Sequence, residues 1–120
     1  MGVFQCALAQ IADDFSDGDF TQNPAWSGDA ANFIVNTSGQ LQLNAPDAST
    51  SMLSVQGNIA DSAIWLLDVR LEFAPSAANL LRIYLLADQA DLTQANGYFL
   101  EIGENGSNDA IRFYRQDGPV

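Results

Sequence analysis

Apolar side chains recur at every second position through residues 64–73 of the stretch SAIWLLDVRLEFAP, and no other feature narrows the fold as much. Trp65, Leu67, Val69, Leu71 and Phe73 fall on one side, and Ile64, Leu66, Asp68, Arg70 and Glu72 on the other. Successive strand residues point to opposite faces, so this period predicts a long strand with one buried side, ended by Pro75. The stretch NLLRIYLLADQ repeats the arrangement, with Leu81, Ile83, Leu85 and Ala87 inward and Arg82, Tyr84, Leu86 and Asp88 outward. NGYFLEIG and AIRFYRQ flank the polar loop ENGSND, which predicts a hairpin.

The first half of the chain is read in the same way. NFIVNTSGQLQLNAP predicts a hairpin, with strands near 33–36 and 40–44 joined by a Thr-Ser-Gly turn, and TSMLSVQG adds a short strand. DDFSDGDFTQNPAWSGD, rich in Asp, Gly, Asn and Pro, reads as an irregular segment anchored by Phe15, Phe20 and Trp26. No run at helical spacing competes. Short strands separated by turns every 8–12 or so residues predict an all-β, antiparallel β-sandwich of jelly-roll type. The length of 120 residues fits one domain. Asp117-Gly118 is a hairpin signal with no strand after it, so residues 10–120 are expected to be the first part of a truncated, longer domain. Other domains of the same chain are then its partners.

Charge excludes several functions. Fifteen acidic residues face four arginines, with no lysine or histidine, and the net charge is −11. Such a chain repels phosphate backbones, which argues against nucleic acid as a partner. The lack of histidine excludes Ser-His-Asp, Cys-His and histidine-ligated zinc chemistry within this chain. No stretch approaches the roughly 20 apolar residues of a membrane span. With Cys6 the only cysteine, no intrachain disulfide can form. Ala7-Leu8-Ala9 before Gln10 resembles the small-x-small end of a secretory leader, so residues 1–9 are expected to be a signal-peptide remnant and the rest exported.

Two sets of residues are candidate sites. Arg70, Arg82 and Arg112 occupy outward-type positions among Asp68, Glu72, Tyr84 and Tyr114. If their strands are neighbours, Arg70, Glu72, Arg82, Tyr84, Arg112 and Tyr114 form a mosaic suited to a polysaccharide or glycan. Aromatic rings stack on a pyranose, and arginine and carboxylate bond its hydroxyls. Cross-strand charge pairing explains the same mosaic without a ligand. Asp13, Asp14, Asp17 and Asp19, with Asn108 and Asp109, supply hard oxygens for calcium, although Phe15 stands where an EF-hand needs a ligand. Equally, Asp and Gly in such segments form turns. Glycoside hydrolysis needs two carboxyl groups in one cleft. Glu101 and Glu104, three apart in EIGE, fall on opposite faces of a strand unless a bulge intervenes at Gly103. No catalytic residue is assigned.

The stretches DDFSDGDFTQNPAWSGD, LQLNAP, LLADQADL, NGYFLEIG and GSNDAIRFYRQDG together resemble an N-terminal region of large secreted Bacteroidetes proteins. That region lies upstream of lamin-tail-like and C-terminal sorting domains and looks like a concanavalin A-like lectin/glucanase jelly roll. The resemblance, over residues 13–118 or so, implies further strands after Val120 and brings no active-site motif. Three functions follow as expectations: a non-catalytic carbohydrate-binding or domain-presenting module, a glucanase-type hydrolase completed by residues outside this stretch, and a structural spacer of an adhesin-like protein.

Overall fold

The computed structural model describes residues 11–58, 62–106, 108 and 110–120. The expected leader remnant 1–9, with Cys6, and the candidate ligand Asp109 lie outside the described residues. The chain divides into two compact units, Met1–Ala63 and Ile64–Val120.

In the first unit, Trp26–Gly28 (β1) pairs antiparallel with Leu53–Val55 (β4), and Phe33–Val35 (β2) with Leu41–Leu43 (β3). The β2–β3 hairpin is the one its sequence predicts. Asn36 closes its turn, the side-chain oxygen accepting from the Ser38 and Gln40 amides and the carbonyl from Gly39. Gly39 sits at φ 72°, where a β-carbon is disfavoured. β1 was hidden inside the turn-rich segment. Its last residue, Gly28, has φ 135° and lies against the Met52 carbonyl, leaving no room for a side chain. Phe20 is buried, and Trp26 is fixed by its amide on the Phe20 carbonyl and its indole N–H on Asp13.

The second unit holds the longer strands, Leu81–Ala87 (β5), Asn96–Ile102 (β6) and Ile111–Asp117 (β7), in an antiparallel sheet of order β5-β6-β7. Leu81 lies opposite Ile102 and Tyr84 opposite Phe99; Phe99 in turn faces Tyr114, and Glu101 faces Arg112. A bulge between Tyr84 and Leu86 leaves Leu85 without a cross-strand partner. One extra residue inverts the parity beyond it. Leu86, expected outward, joins the side of Leu81 and Ile83 opposite Tyr98, and Ala87 crosses to the Tyr84 side opposite Gly97.

The 64–73 segment departs from its period. It belongs to no sheet, and Ile64 and Leu66 are 89% and 91% exposed. Trp65 and Val69, on the side expected to be buried, are still 40% and 41% exposed. The alternation survives as a difference in exposure, but a period of two is stabilised only where another strand supplies the ladder. Here the Trp65 indole N–H donates to the carbonyl of Leu85, the bulge residue (3.1 Å). Apart from a three-residue 3-10 turn at Ala30–Asn32, the regular structure of the described residues is antiparallel β, so the chain is all-β.

Candidate functional site

The site is assembled by the β5-β6-β7 register. Alternation puts Arg82 and Tyr84 of β5, Phe99 and Glu101 of β6, and Arg112 and Tyr114 of β7 on one face. Four of the six residues nominated for the mosaic therefore meet. Arg70 and Glu72 do not join them. They lie on the unpaired 64–73 segment and bond each other at 2.8 Å in solvent, because that segment never enters the sheet.

Three rings cross the face as a row. Tyr84 and Phe99 have centroids 4.9 Å apart, and Phe99 stacks on Tyr114 at 5.2 Å. Phe99, flanked on both sides and overlain by the Arg82 guanidinium at 5.1 Å, is buried. Tyr114 at the outer strand stays partly open. The Tyr84 hydroxyl donates to Gln116 Oε1 at 2.6 Å, and Gln116 Nε2 donates to the Leu92 and Gly118 carbonyls. Gln116 is thus a buried amide with all its visible bonds inside the unit.

Beside the row lies an open polar depression of ≈ 470 Å³, bounded in part by Arg82, Glu101, Glu104, Asn105 and Arg112. Arg82 Nε donates to Glu101 at 2.8 Å, while Arg112 pairs with Glu104. Glu104 also accepts from the Ala110 amide and so ties the loop to the start of β7. The Tyr114 side chain first, and the Glu104 carboxylate next, push the Arg112 guanidinium further above its ordinary value. The expectation that Glu101 and Glu104 face apart is corrected here. β6 ends at Ile102, Gly103 takes φ 141°, and the chain turns so that both carboxylates line one depression. Their side chains are only 12% and 9% exposed.

Phe99 and Gln116 were not nominated from sequence, and Glu101 and Glu104 were weighed there only as a carboxyl pair, not as part of the mosaic. The signal for Glu101 and Phe99 was available: a hairpin around ENGSND sets them opposite Arg112 and Tyr114. Nothing comparable points to Glu104, whose direction depends on one glycine dihedral.

The four aspartates expected to supply oxygens for calcium cap their own turns. Asp13, Asp14, Asp17 and Asp19 each accept from an amide two residues on, at 2.7–3.1 Å, forming four Asx turns in succession. Ser16 and Thr21 hydroxyls add to Asp14 and Asp19, and these bonds hold both carboxyls below their ordinary value. Among the described residues no three acidic side chains converge as metal ligands. Asn108 is exposed in the β6–β7 loop and belongs to the other unit. No helix of the described residues is long and apolar enough to cross a membrane.

Comparison of the chain with protein-family models, curated proteins and solved structures finds no match in any of the three.

Proposed function

We propose that this chain is a non-catalytic carbohydrate-binding module of an exported bacterial protein, built as part of a jelly-roll sandwich and presenting neighbouring domains. The observation that carries the reading is the meeting of Arg82, Tyr84, Arg112 and Tyr114 on one sheet face beside a polar depression. Tyr114, the most open ring of the row, offers the stacking surface for a pyranose, and Arg82, Arg112 and Asn105 offer donors for its hydroxyls. Affinity electrophoresis through gels containing laminarin, xylan, mannan or hydroxyethyl cellulose tests this, with and without calcium. Retardation by at least one polysaccharide is expected, and Tyr114→Ala should weaken it roughly tenfold with an unchanged circular dichroism spectrum. Unretarded migration in every gel overturns the reading and leaves the spacer role.

One observation favours a second reading. Glu101 and Glu104 share the depression, as a glucanase-type hydrolase requires of its carboxyl pair. Each is paired with an arginine, Glu101 with Arg82 and Glu104 with Arg112. Release of reducing sugar from the same polysaccharides, abolished by Glu101→Gln, would replace the binding reading with the catalytic one.

A further inference from the structure

We propose that residues 64–73 close on the free edge of β5 in the same chain as an antiparallel fourth strand, and that closing carries Arg70 and Glu72 onto the face of Arg82 and Tyr84. β5 ends the strand order, and among the described residues no strand pairs with its outer edge. Such an edge offers its backbone groups to a further strand. Two ties already hold the segment beside it. The Trp65 indole N–H donates to the Leu85 carbonyl on β5. Just past the other end of the segment, Ser76 and Asn79 exchange amide–carbonyl bonds of 2.9 and 3.2 Å as an isolated antiparallel bridge. That bridge is the first rung of a hairpin between the segment and β5, with Ala77 and Ala78 as its turn.

One register satisfies both faces. Phe73 set opposite Leu81 leaves an extra residue at Ala74-Pro75, and a proline suits a bulge. Leu71 then faces Ile83, and beyond the Leu85 bulge Val69 faces Leu86. On that side the rows across the sheet become Phe73–Leu81–Ile102–Ile111 and Leu71–Ile83–Leu100–Phe113. On the other side Glu72 faces Arg82, and Arg70 faces Tyr84. The charged row becomes Glu72–Arg82–Glu101–Arg112, alternating in sign from strand to strand. Arg70 ends the row of rings, a cation beside Tyr84. A shift of one residue would instead set Glu72 and Arg70 among Ile83 and Leu100. Closing gives up little. A backbone ladder replaces the Trp65 bond, and the Arg70–Glu72 pair that opens stands in solvent.

The part of Arg70 and Glu72 in glycan binding rests on the reading proposed above, but the pairing does not and is tested without a polysaccharide. In a Cys6→Ser background, Val69→Cys with Leu86→Cys sets two thiols on one face, and Arg70→Cys with Leu86→Cys sets them on opposite faces. Val69, Arg70 and Leu86 are all exposed, so folding is not at risk. After mild oxidation of dilute protein, the first variant should lose both thiols within the monomer and the second should keep them. Thiols kept in the first variant, or lost equally in both, overturn the closed strand. In any gel that retards the parent chain, the oxidised first variant should be retarded further than the same variant reduced, because closing completes the face. Equal retardation overturns the part given to Arg70 and Glu72 in binding. A parent chain retarded in no gel removes the binding reading alone, and the thiol count still upholds or overturns the strand.

Discussion

Asp88 shows what single side chains contribute in so acidic a chain. Its carboxylate accepts from the Asn96 amide at 2.8 Å and from the Asn96 side chain at 2.7 Å, closing the turn between β5 and β6. The side-chain bond first, and the amide bond second, hold the Asp88 carboxyl below its ordinary value. A depressed carboxyl contributes stability that is full above its unfolded value of about 3.9 and is lost as pH falls through the lower folded value. Asp14 and Asp19 act with the same sign. Thermal unfolding followed from pH 7 downward should therefore show a falling midpoint in the acid range, and Asp88→Asn should flatten that limb. An unchanged slope would remove Asp88 from the account. Gly97 contributes through the side chain it lacks, since a β-carbon there would meet the Leu86 carbonyl at the bulge. Gly97→Ala should cost about 1–3 kcal/mol in urea unfolding, the range of forced overpacking.

The elements of the sheet depend on a few buried polar bonds as much as on apolar burial. Gln116 links β7 to Tyr84 of β5 across β6 and to two loop carbonyls. Gln116→Leu would take from the buried Gln116 position the acceptor of the Tyr84 hydroxyl and the donor to the half-buried Leu92 and Gly118, and should destabilise by about 1–3 kcal/mol, read from the urea midpoint at constant slope. Elements with their partner close in sequence were legible beforehand. The β2–β3 and β6–β7 hairpins follow from alternation interrupted by a turn, so Tyr114 and Arg112 were nominated on the correct face. Two things were not legible. The Leu85 bulge inverts half of β5 without any glycine or proline in the strand to announce it. The 64–73 segment has the strongest period in the chain and no ladder, because periodicity records what a segment suits and not whether a partner stands beside it. Arg70 and Glu72 were misplaced for that reason alone.

At the scale of the whole molecule, charge is distributed unevenly. Residues 1–63 carry seven acidic side chains and no basic one, and residues 64–120 carry eight acidic side chains with all four arginines, giving −7 and −4 of the −11. Every arginine is paired with a carboxylate, so none is left to relieve the remaining repulsion. The two exposed pairs, Arg70–Glu72 and Arg115–Asp117, are worth about 0–1 kcal/mol each. Moderate salt should consequently raise the unfolding midpoint between about 0.01 and 0.15 M, where the screening length shortens from roughly 30 to 8 Å. A midpoint lowered by salt would mean that the four pairs outweigh the excess of negative charge. The proposed site rests on the face shared by Tyr84, Phe99 and Tyr114. Ring-to-ring nuclear Overhauser contacts of Phe99 test it most directly. They should run to Tyr84 and Tyr114 and be absent to Phe113, and a Phe99 ring found against Phe113 would contradict the register from which the site is built.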